Sequence, residues 1–596
     1  MKNLYKLFVL AFSALVILPS CSQLLEPEPY GLVDLDLVWT KYNYTSDLVA
    51  TIGKAANYES SFPYSAYCDE AQAVRDRTDS GWHSWYTIDF NVSSFILGGG
   101  WDGIYNNLRT IAFFLTNEDK ISFTNITDLE REYWDVKAHF FRAWHYFTLM
   151  KRYGKAVIFT EVYDINETFS TVELSGVEEL ADFIISELDI CLNATENESS
   201  PYTFRWNPGW GAINRGFAWV LKARTAMFAA SPLFYTEGSK YTWEYAYQIN
   251  KQAVEALAAH GYKLFDIEPE DNVAYGVYDY YHLFDNDGSR SRDKETILGN
   301  SGRLTMWSDY GLPNTKGQVS CGICPTQELV DCYETIDGEP ILDLAQPYLD
   351  EAHLIPNYNK NNTLYDPENP YENRDPRFYG TIYYNGAPRW WVNPDSLRVE
   401  TFVGGNCEIS EEPTNYHNTR TGYYIRKYNR DVSSEKNGNQ DGRAHNARFA
   451  ELYLNLAECA CESGHMEDAY DYTNLVRERV GMPDLPKGLT QDQLRLRIRN
   501  ERRIEFAFEG SFRFDDIRRW KIIDQTQEHV TGMRITKNKT TGKLSYERFS
   551  FDTRINKGDP KYLLYPISEE EVEKMKHNTS PTGNPEDGQN WQNPGW

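Results

Sequence analysis

Positive charge is in short supply. Lys and Arg number 60 against 87 Asp and Glu, leaving a formal net charge of −27 over 596 residues. Nucleic-acid binders draw affinity from basic groups that neutralise phosphates, so that class is excluded. Adsorption to an anionic lipid face is disfavoured for the same reason. Cysteine is scarce as well, nine in the whole chain, too few for a disulfide framework. None is needed, because a chain with room for about three to five domain-sized units buries a large core without staples. The 11 histidines do not cluster at metal-ligand spacing. No Gly-x-x-x-x-Gly-Lys phosphate loop, Gly-x-Ser-x-Gly nucleophile elbow or His-Glu-x-x-His zinc pair is present. No metal, cofactor or catalytic residue is therefore expected. A carboxylate pair for glycoside hydrolysis is a spatial arrangement, and among 87 acids the sequence does not single one out.

Aromatic residues, by contrast, are plentiful: 42 Tyr, 29 Phe and 16 Trp. Tyr and Trp join an apolar body to a polar tip, which suits a ligand that has both apolar faces and hydroxyls.

Helical periodicity is the dominant pattern. Over 128–153, Leu129, Tyr133, Val136, Phe140, Trp144, Phe147 and Met150 recur every three or four residues, with Asp128 as the expected N-cap and Gly154 as the stop. Segments 177–191, 213–230, 243–260, 448–462 and 467–480 repeat the pattern. The last two form a helical hairpin around Ser463-Gly464. Its Tyr453, Leu456, Ala457, Ala460 and Ala469 fall at tetratricopeptide-like spacing, where small residues let two helices cross closely. Trp219, Ala223, Ala226, Ala246 and Ala253 echo it with a longer loop between. Trp101, Tyr105 and Trp144 lie in helical patterns and are assigned to the core.

Segments 61–100, 264–318 and 381–442 differ. They are rich in Gly, Asn, Asp, Tyr and Trp without a sustained period, and read as long loops with short strands. Cys321-Gly-Ile-Cys324, with Cys332 nearby, leaves three readings open: buried thiols, a disulfide, or a zinc site short of a fourth ligand. Glu501 to Trp520 (ERRIEFAFEGSFRFDDIRRW) carries five acids and five arginines interleaved with aromatics. Such a self-neutral segment suits buried Arg–carboxylate pairs. Asn373 to Phe378 has the same potential for internal pairing.

The N-terminus reads as an export signal. Lys2 and Lys6 precede a mostly apolar run from Leu7 to Leu18, too short to span a bilayer. Leu18-Pro19-Ser20-Cys21 resembles a bacterial lipobox, which makes Cys21 the lipidated first residue of the mature protein. Residues 1–20 are then the signal peptide and 21–35 a tether. Residues 36–596 form one body: a helical scaffold mainly over 36–60, 101–260 and 447–480, the three loop regions, and a C-terminal segment 490–596.

Taken in order, these segments resemble the SusD/RagB family of nutrient-binding lipoproteins of the Bacteroidetes outer membrane. The matching residues are Cys21, Trp101 to Tyr105, Ala138 to Ala143 with Tyr146-Phe147 and Tyr153-Gly154, Leu221 to Arg224 with Ala230 to Phe234, Pro325 to Asp331, and Asn373 to Phe378. They continue with Glu451 to Asn455, Ala457-Glu458, Arg502 to Trp520, Tyr565 to Ile567 and Gln592 to Trp596. The resemblance implies a mainly α fold, with tetratricopeptide-like repeats packed against a loop-rich region with short β-hairpins. It implies no catalysis. A SusC-like TonB-dependent outer-membrane transporter is the implied partner, and the implied place is the outer membrane, lipid-anchored and facing the exterior. Glycans are the commonest ligand class, and the implied role is glycan capture and delivery. Oligopeptide capture on the same scaffold and a secreted glycoside hydrolase remain as alternatives.

The family motifs do not transfer binding positions, so these are chosen from chemistry. A sugar ring offers an apolar face for Trp and Tyr and a hydroxyl rim for Asp and Arg. The loops supply both. The expected platforms are Trp82, Trp85, Trp307 and Trp390, with Tyr310 beside Trp307, and the expected polar partners are Arg75 and Asp309.

Overall fold

The computed structural model describes residues 35–54, 62–74, 82–97, 100–163, 172–265, 283–284, 293–300, 304–305, 312, 321–389, 398–411, 415, 417–428, 441–551, 554–576 and 591–596. The signal, lipidation and tether expectations, Cys21 included, lie outside these residues.

The main helices are α1 (Tyr42–Lys54), α2 (Trp101–Asn117), α3 (Asp128–Tyr153), α4 (Val177–Asn193), α5 (Arg215–Ala230), α6 (Trp243–Ala259), α7 (Phe449–Ser463), α8 (Met466–Arg479), α9 (Gln491–Glu505) and α10 (Phe512–Arg519). From α1 to α7 each packs against the next, and α8 and α9 both lie on α7. This is the expected stack of helical hairpins. Helix α3 is the longest because nothing in its 26 residues breaks it. Its N-cap is Thr127 rather than Asp128: the Thr127 hydroxyl accepts the Glu130 N–H at 3.1 Å. It stops at Gly154, which takes φ +69°, a conformation glycine adopts without a Cβ penalty.

Small side chains explain the close crossing of α5, α6 and α7. Ala223, Ala246, Ala253, Ala457 and Ala460 are fully buried. Buried Asn250 on α6 donates to the Ala223 carbonyl at 3.3 Å and to that of Ala246 at 2.8 Å. Trp101 and Trp144 are buried and Tyr105 is half-buried, as expected of core positions.

Strands are short and antiparallel. β1 (Ala71–Ala73) pairs with β4 (Ile323–Pro325), β2 (Thr296–Gly299) with β8 (His445–Arg448), β3 (Leu304–Thr305) with β7 (Asp441–Gly442), and β5 (Ile382–Tyr383) with β6 (Tyr424–Ile425). β9 (Thr531–Lys537) and β10 (Leu544–Ser550) form a longer hairpin, with Thr531 opposite Ser550. The end of the chain is docked: Asn593 donates to the carbonyls of Tyr153 and Tyr565 at 3.0 and 2.7 Å, and the Trp596 indole donates to that of Lys561 at 2.8 Å.

A buried lattice of ion pairs joins the strands to the helices. Arg448, at the end of β8, donates to Glu295 (2.7 Å), Glu505 (2.6 Å) and Glu509 (2.8 Å). Arg377 holds Asp375 (2.8 Å), Glu501 (2.5 Å) and Glu505 (2.9 Å). Arg477 bridges Glu334 and Glu501, each at 2.9 Å. Arg479 pairs with Glu295 and Glu505, Lys427 with Glu509, and Arg497 with Glu334. Six cations thus meet six carboxylates: Asp375, Glu295, Glu334, Glu501, Glu505 and Glu509. The self-neutral 501–520 segment does pair its charges in the interior, but largely with distant residues rather than within itself. Asp375–Arg377 is the internal pair expected of the Asn373–Phe378 turn.

Candidate ligand-binding face

Two of the expected platform residues are described, and both are corrected. Trp82 and Trp85 lie on a helix, Trp82–Thr87, where a loop was expected. Trp82, Trp85 and Tyr86 fall at i, i+3 and i+4, which puts them on one side of that turn. The side faces inward: the three residues are 4%, 1% and 8% exposed. Trp85 stacks on Phe90 with centroids 5.9 Å apart and meets Tyr67 and Tyr562 edge-on at 5.3 and 5.7 Å. The Lys557 ammonium stands 5.2 Å from its ring centre. Packed by these groups and 1% exposed, Trp85 fastens the segment to the body and has no surface for a ligand. Trp82 is buried in the same core. Arg75, Trp307, Asp309, Tyr310 and Trp390 lie outside the described residues.

The described bases of the three loop regions converge. Val74, Leu312, Ala387 and Val399 are each 1% exposed or less and belong to one small apolar cluster with Cys321, Cys324, Cys407, Tyr383 and Tyr424. Val74 comes from the first loop region, Leu312 from the second, and Ala387 and Val399 from the third. Val74 N–H donates to the Gly322 carbonyl at 2.9 Å, continuing the β1–β4 ladder. Gly386 N–H donates to the Val399 carbonyl at 2.7 Å and Val399 N–H to that of Ala387 at 2.9 Å. That exchange clamps the two ends of the stretch that carries Trp390. Arg426 lies over the Tyr383 ring at 4.9 Å and donates to the Pro388 carbonyl at 3.3 Å. Sequence reasoning missed this floor. Its parts are residues scattered from Val74 to Tyr424, and no period connects them.

Asp69 and Glu70 are neighbouring carboxylates just before β1. Burial and the Asp69 charge push Glu70 up to about 7. Burial opposes ionisation of Asp69, but Arg503 and Arg513, at 2.7 and 2.8 Å, hold it well below the usual carboxylate range. Split titration of this kind is what acid–base catalysis uses. Yet both residues are buried, at 2% and 3% exposure, so a substrate does not reach them. Among the described residues, no group of three or more His, Cys, Asp or Glu is placed to hold a metal ion. Nor, among them, is any helix long and apolar enough to cross a membrane.

A cavity of about 70 Å³ opens between α3, α5, α7 and the α9–α10 corner, lined by Trp144, Phe147, Phe217 and Phe512 with a charged rim. The rim pairs internally. Arg224 binds Glu451 through two hydrogen bonds of 2.6 and 2.7 Å, Lys151 meets Asp515 at 2.8 Å, and Arg502 meets Asp516 at 3.1 Å.

Comparison with known proteins follows the same geometry. A sequence model described as the SusD family matches residues 280–596. The SusD-like protein P25 of Formosa agariphila is 34% identical over 109 residues, which is 18% of this chain and spans 21% of that relative's length. A SusD-like protein of Bacteroides fragilis superposes with TM-score 0.70 at 23% identity, over 95% of this chain and 99% of its own. A SusD-like carbohydrate-binding protein of the same species superposes with TM-score 0.64 at 18% identity, over 92% of this chain and 100% of its own. At these identities the superpositions establish the shared fold.

Proposed function

Because the chain belongs to the SusD family, we propose that it is a non-catalytic, cell-surface glycan-binding lipoprotein. In this reading it is anchored through Cys21 and passes captured oligosaccharide to a SusC-like TonB-dependent transporter. Carbohydrate binding by the similar Bacteroides fragilis protein supports the ligand class. The observation that carries the reading is the common floor of the three loop regions. Arg75 directly follows Val74, Tyr310 stands two residues before Leu312, and Trp390 three after Ala387. Each residue step spans at most about 3.8 Å. In this reading a guanidinium, a phenol and an indole are carried by chain stretches that leave one small patch. That set suits a sugar, with aromatic faces for the ring and polar groups for the hydroxyl rim. With Trp82 and Trp85 assigned to the core, the proposed contacts are Arg75, Trp307, Asp309, Tyr310 and Trp390.

Affinity electrophoresis of residues 22–596 through gels cast with plant, host and microbial polysaccharides tests this. Retardation in at least one gel is expected. Mobility unchanged in every gel, together with capture of peptides from a defined mixture, would replace glycan by oligopeptide. Release of new reducing ends by the purified protein would refute the non-catalytic reading.

A further inference from the structure

Three thiols lie in the loop floor. Cys321, Cys324 and Cys407 are buried there as free cysteines. Cys321 and Cys324 end a Cys-Gly-Ile-Cys turn. In a regular strand, residues three apart point to opposite faces. Gly322 breaks that regularity with φ +62°, a left-handed conformation that a side chain would strain. The chain bends there, and Cys321 and Cys324 are both buried in one small apolar cluster. Both ends of the turn are clamped to β1. Cys324 sits opposite Gln72 and donates to its carbonyl at 3.2 Å, and the Gly322 carbonyl accepts Val74 N–H. Cys407 arrives from a separate segment, with the Arg389 guanidinium directed at its sulfur from 3.9 Å.

We propose that Cys321 and Cys324 are a dithiol–disulfide pair, oxidised when the chain matures in an oxidising compartment, and that the bridge fixes the floor under the loops. The consequence for ligand capture rests on the function proposed above; the covalent step does not. One thiolate of the pair attacks the S–S bond of a small or protein disulfide, forming a mixed disulfide and releasing one thiol. The second thiol of the pair gives up its proton, and its sulfur displaces the remaining oxidant sulfur. One protein S–S bond replaces two S–H bonds, and the oxidant leaves as two thiols having taken up two electrons and two protons. In the folded floor Cys324 is the more acidic thiol of the two. Burial alone would raise its pKa, but hydrogen bonds from Cys321, the Arg420 backbone and the Thr421 and Thr419 hydroxyls bring it down to about 6. Burial pushes Cys321 well up instead. Since both sulfurs are fully buried in the folded chain, the exchange takes place before the floor packs.

The test uses the full chain, exported to an oxidising envelope or retained in a reducing cytosol. Each sample is denatured, alkylated with N-ethylmaleimide without reductant, digested and mapped by mass. In exported protein the peptide spanning 321–324 should be unalkylated and lighter by two hydrogens. In cytosolic protein both cysteines should be alkylated, and Cys407 should be alkylated in both samples. Full alkylation of exported protein, or a bridge from either cysteine to Cys407, would overturn the pairing. Cys321→Ser, and wild type treated with dithiothreitol in case that variant does not fold, should be cut faster within 306–320 by a protease than the oxidised chain. Equal rates would remove the role in fixing the floor. The mass map needs no glycan, so a bridged protein that no polysaccharide retards would separate failure of the ligand reading from failure of this one.

Discussion

The helical frame and the loop floor are held by opposite kinds of interaction. In the frame, six buried cations face six buried carboxylates, and each partner accepts a narrow range of directions and distances. In the floor, Val74, Leu312, Ala387 and Val399 meet thiols and tyrosine rings with little directional demand. Charge pairs specify which segments meet and in what register, whereas small apolar contacts exclude water and tolerate change. The frame therefore fixes where the loops leave the body and leaves their content free. That division suits a binding protein whose ligand is chosen by loop side chains on a constant scaffold.

The largest expected effect comes from breaking the frame. Arg448→Met takes one of the two or more cations from each of Glu295, Glu505 and Glu509, leaving five cations for six buried carboxylates, and should cost about 3–5 kcal/mol or prevent folding. Urea denaturation measures it, and a loss below about 1 kcal/mol would mean that the lattice is dispensable. Trp85→Ala comes next, at about 3–4 kcal/mol for a vacated core site. Polysaccharide retention by the fraction that remains folded should be unchanged; lost retention at full stability would restore Trp85 as a platform. A third test concerns the α3–α4 seam, where His139 lies 2.8 Å from Glu187 and 3.3 Å from Asp135. Burial would lower its pKa, but these hydrogen bonds override it and push it up to about 9 from 6.5. The raised value means that its stabilisation is full below pH 6.5 and is lost as pH rises through about 9. Denaturation free energies across that window should fall by at most about 3 kcal/mol, and His139→Gln should flatten the slope. The smallest thermodynamic effect belongs to the loops. Trp390→Ala should weaken glycan binding by about tenfold, equivalent to roughly 1.4 kcal/mol, with thermal unfolding unmoved. A melting shift as large as that of Trp85→Ala would place Trp390 in the core.

The frame was legible in the sequence because periodicity is additive. The stripe from Leu129 to Met150 announces α3 through many residues at once, and one error in it would change nothing. Matched charges in 501–520 announced burial, though not partners, since Arg448 and Glu295 are far apart in the chain. The site was less legible. Trp82 and Trp85 share one helical turn with Tyr86, a stripe too short to stand out, and an indole near Arg and Asp looks alike whether it plugs a core or faces a ligand. The floor was invisible for another reason: a lone Val, Leu or Ala carries no sign of what it will meet.

The span of the ion pairs also bears on how the chain folds. Arg448 reaches Glu295 across 153 positions and Glu505 across 57, and Arg477 reaches Glu334 across 143. None of these pairs forms while the intervening chain is unplaced, and until they form each charge is better off in water. The helical hairpins can assemble locally and early, but the lattice closes only when segments from the middle and the end of the chain arrive together. Folding should then show a fast helical phase and a slow cooperative step that completes the body. Partly folded chains would keep those charges hydrated rather than trap them in wrong pairings.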